Sequence, residues 1–274
     1  MKLTSIENVI PETNIVIFSP HFDDVLFMLG GYINELKKAS LLNTKNFHVV
    51  LIFSRSNYLA GSRSLNFDNS LERIKHVTGK RLLEDQECND ALLGRFNYKY
   101  ELVGENECFT RGKSFANSEM EFPHGMYADF EDEDHSIFSR MKDRVYSWSL
   151  MEDTALVFPT AIKEHIDHFI VREAAIEVAR LHASVINASF YFQEDKPYGG
   201  IASEEELNRL ANFIVDNKLN PITYVADPEY VIDLAFTHYI SQVEEVYKTG
   251  IRARAEFLKT EMNMQQYCDR LYKL

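Results

Sequence analysis

Short apolar runs punctuate the chain, and most are followed by a segment whose apolar positions recur at helical spacing. NIVIFS (14–19), FHVVLIFS (47–54) and TALVFPT (154–160) are nearly continuous in apolar, β-favouring residues. A strand covered on both faces has no reason to alternate, so these runs predict strands buried in a parallel sheet. SVINASFYFQ (184–193) predicts a further strand. Between them, VLFMLGGYINELKKAS (25–40) has helical spacing and closes on two lysines, and Leu71 to Leu93 reads as a helix stopped by Gly94. HIDHFIVREAAIEVARLHA (165–183) carries the stripe Ile166, Phe169, Ile170, Ala174 and Val178. SEEELNRLANFIVDN (203–217) opens with a serine followed by glutamates, which suits a helix N-terminus.

The tail from Thr237 reads as mostly helical. Strand, helix, strand is the start of a parallel α/β sheet. The expected fold is α/β, a Rossmann-like, mostly parallel sheet flanked by helices. It forms a single domain over 1–274, with 200–274 as a helical C-terminal part. Residues 104–135 have weak periodicity and predict a long irregular surface insertion. Its acidic cluster, Glu131 to Asp134, reads as a solvated face rather than a binding site.

Charge and cysteine usage narrow the function classes. The 274 residues carry 42 acids against 29 bases, a formal charge of −13. Such a field disfavours nucleic acid and anionic membranes and accepts neutral substrates more easily. MKLTSIENVIPETN is too polar for a signal peptide, and no unbroken apolar run is long enough to span a membrane. Cys88, Cys108 and Cys268 are scattered without a CxxC pair, which fits reduced thiols in a cytoplasm and offers no thiolate metal site. Cys88, within a helical pattern, reads as a small buried hydrophobe.

The chemistry concentrates in FSPHFDDVLFMLGG (18–31) and PTAIKEHIDH (159–168). In parallel α/β sheets, functional groups collect in the loops that leave the carboxyl ends of strands. The first loop brings His21, Asp23 and Asp24; the second brings Glu164, His165, Asp167 and His168. Imidazole and carboxylate together are good ligands for zinc or iron. His21 and Asp24 lie three apart, so at a helix start both can aim at one point. A ligand from the second loop would complete a two-histidine, one-carboxylate face. Asp23 then points elsewhere, free to act as a base on water whose pKa the ion lowers to about 7. The competing reading is that Asp23 or Asp24 merely caps the following helix. Of the remaining histidines only His124, in FPHG, keeps an interest; the others read as structural or exposed. Gly30-Gly31 does not make a GxGxxG turn, which argues against a nucleotide-binding protein.

At these residues the sequence resembles the PIG-L/LmbE-like metal-dependent N-acetylglucosaminyl deacetylases. Their AHPDDE-type loop appears here as SPHFDDV and their HPDH-type motif as HIDH. RLLEDQECNDALLG (81–94), FYFQEDKPYGG (190–200) and, more weakly, HYISQVEEVYKTG (238–250) are similar to further segments of that family. The resemblance implies His21, Asp24 and His168 as metal ligands and Asp23 as general base. His165 would stabilise the oxyanion and could protonate the leaving amine, and Asp167 would orient an imidazole.

Zinc is the metal implied, with iron and other divalent ions left open by the ligand set. Arg55, Arg81, Asp195 and Tyr198 are weaker candidates for substrate contact. The expected activity is zinc-dependent N-deacetylation of an N-acetylated sugar or conjugate in the cytoplasm, without membrane insertion. Self-association into a homo-oligomer stays open. The alternative is a catalytically altered glycan- or small-molecule-binding protein that keeps the fold. Phe22 and Ile166 stand where the family has proline, and Val25 where it has glutamate. None of the three removes a ligand or the base.

Overall fold

The computed structural model describes residues 3–60, 68–114 and 130–274. Strands β1 (Asn14–Ser19), β2 (Asn46–Leu51), β3 (Tyr98–Leu102), β4 (Thr154–Pro159), β5 (Ser189–Gln193), β6 (Asn220–Val225) and β7 (Cys268–Lys273) form one sheet. Their order is β3-β2-β1-β4-β5-β7-β6. The first five pair in parallel, while β7 runs antiparallel to both β5 and β6.

Successive side chains of a strand face opposite sides, so one apolar run feeds two cores. Ile15 and Ile17 of β1 pack into one buried cluster, Val16 and Phe18 into the other. Helices cover both faces: α1 (Ile6–Val9), α2 (Asp24–Lys38), α3 (Leu71–Leu93), α4 (Asp132–Ser149), α5 (Ile166–Leu181), α6 (Glu204–Asp216), α7 (Pro228–His238) and α8 (Glu245–Glu261). Residues of α4, α5 and α6 build the core on one side, and α2, α3, α7 and α8 the core on the other. Among the described residues no helix is long and apolar enough to cross a membrane.

The Gly30-Gly31 step is a packing device. A Cβ on Gly30 would meet Leu26 Cδ1 at 2.7 Å and Val231 Cγ2 at 3.2 Å; one on Gly31 would meet Asp269 Oδ2 at 3.1 Å. Bare backbone there lets α2 lie close against α7 and β7.

Two expectations are corrected. The C-terminal part supplies strands as well as helices. CDRLYK reads as polar because Asp269 and Arg270 are buried with partners: Asp269 accepts from Tyr224 OH (2.9 Å), and Arg270 Nε donates to Thr223 Oγ1 (2.9 Å). The stretch 104–135 is not simply a surface excursion. Cys108 and Phe109 are buried, and α4 starts at Asp132. Asp134 is only 1% exposed, because it closes a capping box with Glu131 and pairs with Arg111 and Lys113. His124 lies outside the described residues.

Connections run from β1 outward through β2 to β3, then cross back so that β4 lies on the other side of β1. The strand order therefore reverses at the β1/β4 pair. A crevice forms at such a point beyond the carboxyl ends of the strands. The loops that enter it are 20–23 and 160–165.

Candidate metal centre

The loop after β1 is shaped by its own polar groups. Ser19 Oγ donates to the His21 carbonyl (2.8 Å), and Asp24, in the first turn of α2, accepts from the His21 N–H (2.7 Å). These bonds turn the His21 ring towards the second loop. Asp23 sits at the N-cap position of α2 and makes no capping hydrogen bond. Its side chain lines the crevice instead, 3.8 Å from Arg81 Nη2.

Three ligand atoms from the two loops converge. His21 Nδ1 lies 3.1 Å from His168 Nε2 and 3.5 Å from Asp24 Oδ2, and His168 Nε2 lies 3.3 Å from that same oxygen. Tetrahedral zinc with bonds of about 2.05 Å requires ligand atoms about 3.3 Å apart. The triangle fits that face. The far nitrogen of each ring fixes which near nitrogen is bare. His168 Nδ1 lies 2.6 Å from Asp195 Oδ1, and His21 Nε2 lies 2.9 Å from Asp167 Oδ2. A carboxylate only accepts, so each far nitrogen carries its proton and both near nitrogens present lone pairs.

Two lone pairs and a carboxylate oxygen, all buried and facing one another, call for positive charge. The proton affinities say the same. Burial opposes protonation of His21 and His168, yet the surrounding carboxylates outweigh it and raise both. Burial would raise Asp24, but the two imidazoles hold it well below the usual carboxylate range. Asp23 is pushed the other way, to about 6, by burial and by repulsion from Asp24, with Arg81 opposing.

His165 caps α5. Its Nδ1 accepts from the Asp167 N–H (3.1 Å), so in the neutral ring Nε2 carries the proton. Burial lowers its pKa well below the ordinary imidazole value. That nitrogen lies 3.8 Å from Cys108 Sγ on the crevice wall. Asp167 is fully buried and is held by Arg111 Nη2 (2.8 Å) and the Cys108 N–H (3.0 Å). Against burial, Arg111 and His21 hold it well below the usual range. Arg111 reaches on to Asp134 at 3.0 Å. A buried chain of charge thus runs from Asp134 through Arg111 and Asp167 to His21.

The four weaker candidates separate. Arg81 and Tyr198 line the crevice. Arg81 Nε donates to Gln242 Oε1 (2.7 Å) and Nη1 to Ser56 Oγ (2.8 Å) and Glu107 Oε2 (3.0 Å). Tyr198 OH is 3.4 Å from Tyr247 OH. Asp195 does not line the crevice. Its carboxylate is used up by His168, the Thr160 hydroxyl (2.9 Å) and the Ile162 N–H (3.1 Å). Arg55 is exposed on the rim of the sheet beside Gly104 and also stays outside the crevice. Gly200 does more than turn the chain. A Cβ there would fall 1.9 Å from the Gly250 carbonyl oxygen, so α8 packs directly on this loop.

Sequence reasoning missed Arg111, Glu107, Cys108, Lys196 and Gln242. Arg111, Glu107 and Cys108 lie in a stretch without periodicity, where nothing in the residue order distinguishes a buried charge from a solvated one. The crevice holds about 520 Å³ of empty space, its open mouth included. A larger open groove at the other end of the sheet, by Asn14, Lys45, Asn46 and Phe96, is lined by no histidine or acid among the described residues.

No family model matches the sequence, and no curated protein matches it. Solved structures do match the fold. The A40926 pseudoaglycone deacetylase Dbv21 superposes with a TM-score of 0.62 at 16% identity, over 95% of this chain and 96% of that one. The zinc-inhibited form of teicoplanin deacetylase Orf2 gives 0.57 at 16%, over 95% and 97%. The N,N'-diacetylchitobiose deacetylase of Pyrococcus horikoshii gives 0.54 at 14%, over 98% and 87%. The fold implied by the resemblance in the two loops is the fold these deacetylases share.

Proposed function

We propose that this chain is a metal-dependent hydrolase that removes an acetyl group from an N-acetylated sugar or sugar conjugate. One observation carries the reading. Two imidazole lone pairs and a carboxylate oxygen converge at 3.1, 3.3 and 3.5 Å, with a second, uncapped carboxylate beside them. The deacetylase fold of the matched structures supports it. His21, Asp24 and His168 would hold the ion, zinc being the metal that the family resemblance implies. A divalent cation in that position supplies Lewis acidity towards the amide carbonyl and lowers the pKa of water to about 7.

The remaining steps fall to side chains. Asp23 accepts the proton of the attacking water, and its pKa near 6 suits a base that must also give the proton back. Arg81, 3.8 Å away, favours the ionised form. His165 stays neutral and aims Nε2–H at the oxyanion of the tetrahedral carbon. As the C–N bond breaks, the proton on Asp23 passes to the amine, leaving acetate and a free amino sugar. Asp167 and Asp195 hold His21 and His168 in orientation.

Acetate release from a panel of N-acetylated amino sugars, with metal content measured on the same preparation, tests the proposal. Asp23→Asn should keep the metal and lose at least about a hundredfold in turnover. Near-normal turnover in that variant would dismiss the assigned base. The alternative, a glycan-binding protein that retains the fold, predicts saturable binding with no acetate released by the metal-loaded wild type.

A further inference from the structure

Among the described residues the crevice is lined by two basic side chains, Arg81 and Lys196, and buried acids pair with both. Arg81 is 4% exposed and is bound to Glu107 at 3.0 Å, with Asp23 at 3.8 Å on its other edge. Lys196 Nζ is held by Asp269 Oδ2 at 2.7 Å and by the Phe27 carbonyl at 3.2 Å. Aromatic rings form much of the remaining wall. Tyr58 lies against Phe109 at 5.3 Å between ring centroids, and Tyr247 against Phe27 at 5.9 Å.

From this arrangement we infer that the site takes uncharged N-acetylated sugars and rejects phosphorylated ones. The inference rests on the hydrolase reading and deepens it. A phosphate entering the crevice gives up its hydration, and a buried anion without a paired cation is costly. Drawing Arg81 to itself would strip Glu107, which is 2% exposed, of its ion-pair partner. Flat aromatic walls and a charge-neutral guanidinium edge suit the C–H faces and hydroxyls of a neutral sugar. The overall charge of −13 lowers the local concentration of anions in the same direction.

The experiment compares the methyl glycoside of N-acetylglucosamine with N-acetylglucosamine 1-phosphate on the metal-loaded protein. Acetate release and calorimetric binding are read in parallel. The methyl glycoside should have a kcat/KM at least about tenfold higher at low salt, as expected for an uncompensated phosphate monoester in a desolvated site. The gap should narrow as ionic strength rises. Glu107→Gln, which leaves Arg81 without its main counter-charge, should narrow it at constant salt. Asp269→Asn does the same for Lys196 and serves if the first variant does not fold.

Equal or better use of the 1-phosphate by the wild type would overturn the inference while leaving the hydrolase reading intact. If neither ligand nor any member of the panel releases acetate, the hydrolase reading falls. The order of the two binding constants then decides the charge selectivity alone, and binding of neither overturns it.

Discussion

Asp195→Asn probes how the fold sets the protonation pattern of the candidate metal centre. In the wild type the carboxylate accepts from three donors: His168 Nδ1 at 2.6 Å on one oxygen, and the Thr160 hydroxyl at 2.9 Å and Ile162 N–H at 3.1 Å on the other. A carboxamide has one oxygen to offer. With that oxygen towards Thr160 and Ile162, its NH₂ meets His168 Nδ1, which must then accept. The His168 proton moves to Nε2 and blocks the lone pair that faces His21 and Asp24. With the amide flipped, the metal-competent tautomer survives, but the NH₂ opposes the Ile162 N–H. An unsatisfied buried donor costs about 1–3 kcal/mol. The free variant therefore settles in the first state, and metal binding must supply the cost of the second.

Affinity should drop by roughly 10- to 100-fold, or about 1.4–2.8 kcal/mol, the range found when an outer partner of a ligating histidine is removed. Zinc titration against a chromophoric chelator measures the loss. Nitrogen NMR of the imidazoles shows which atom of His168 carries the proton. Wild-type zinc affinity in a folded Asp195→Asn variant, or Nε2 still bare in its metal-free form, would refute the reasoning.

Other expectations follow from particular contacts. Gly200→Ala should destabilise the chain by about 1–3 kcal/mol in urea unfolding, since its Cβ would overlap the Gly250 carbonyl at 1.9 Å. Gly79→Ala, mid-helix in α3 with nothing within 4 Å of the new Cβ, should stabilise it by about 0.5–1 kcal/mol; the same sign for both would discredit the packing account. Burial pushes Asp85 up to about 7, with hydrogen bonds from Tyr100 and Tyr239 opposing. Folding therefore takes up a proton there, and stability falls as the pH rises from about 4 to 7. At 1.36 kcal/mol per unit the rise from 3.8 to about 7 limits this loss to about 4 kcal/mol. Asp85→Asn should remove that decline, and parallel wild-type and variant curves of stability against pH would exclude it.

How far the sequence could be read depended on whether burial left a periodic trace. The strand 14–19 and the helix 71–93 have the predicted bounds, because a continuous apolar run, helical spacing and Gly94 are local signals. β7 left no such trace, since Asp269 and Arg270 are buried charges whose partners come from elsewhere in the chain. The centre divided in the same way. His21, Asp23, Asp24, His165, Asp167 and His168 stand at strand-to-helix junctions, where polar residues after an apolar run attract notice. Arg111 and Glu107 hold the centre from a segment without periodicity, and only the fold shows that Arg111 meets Asp167 at 2.8 Å. Asp195 was legible as a polar residue near the crevice but not as the partner of His168. That role depends on register between β4 and β5, where Pro159 pairs with Gln193 and sets Thr160 and Asp195 side by side.

Asp23, at the end of the other loop, is left uncapping. A polar side chain at an N-cap ordinarily accepts a backbone N–H and contributes about 1 kcal/mol. Asp23 forgoes that bond, and its nearest charge partner, Arg81, comes from α3 on the far wall. Next to it Asp24 turns back on the His21 N–H, so two adjacent carboxylates point apart. One is held ionised between two imidazoles; the other is repelled by it and raised towards neutrality. Adjacent groups with opposite shifts are the arrangement expected of a ligand beside a base. Capping alone would have required neither the second carboxylate nor the withdrawal of Asp24 from solvent. The sacrifice of helix stability at this position is where local preference and the demands of the site diverge.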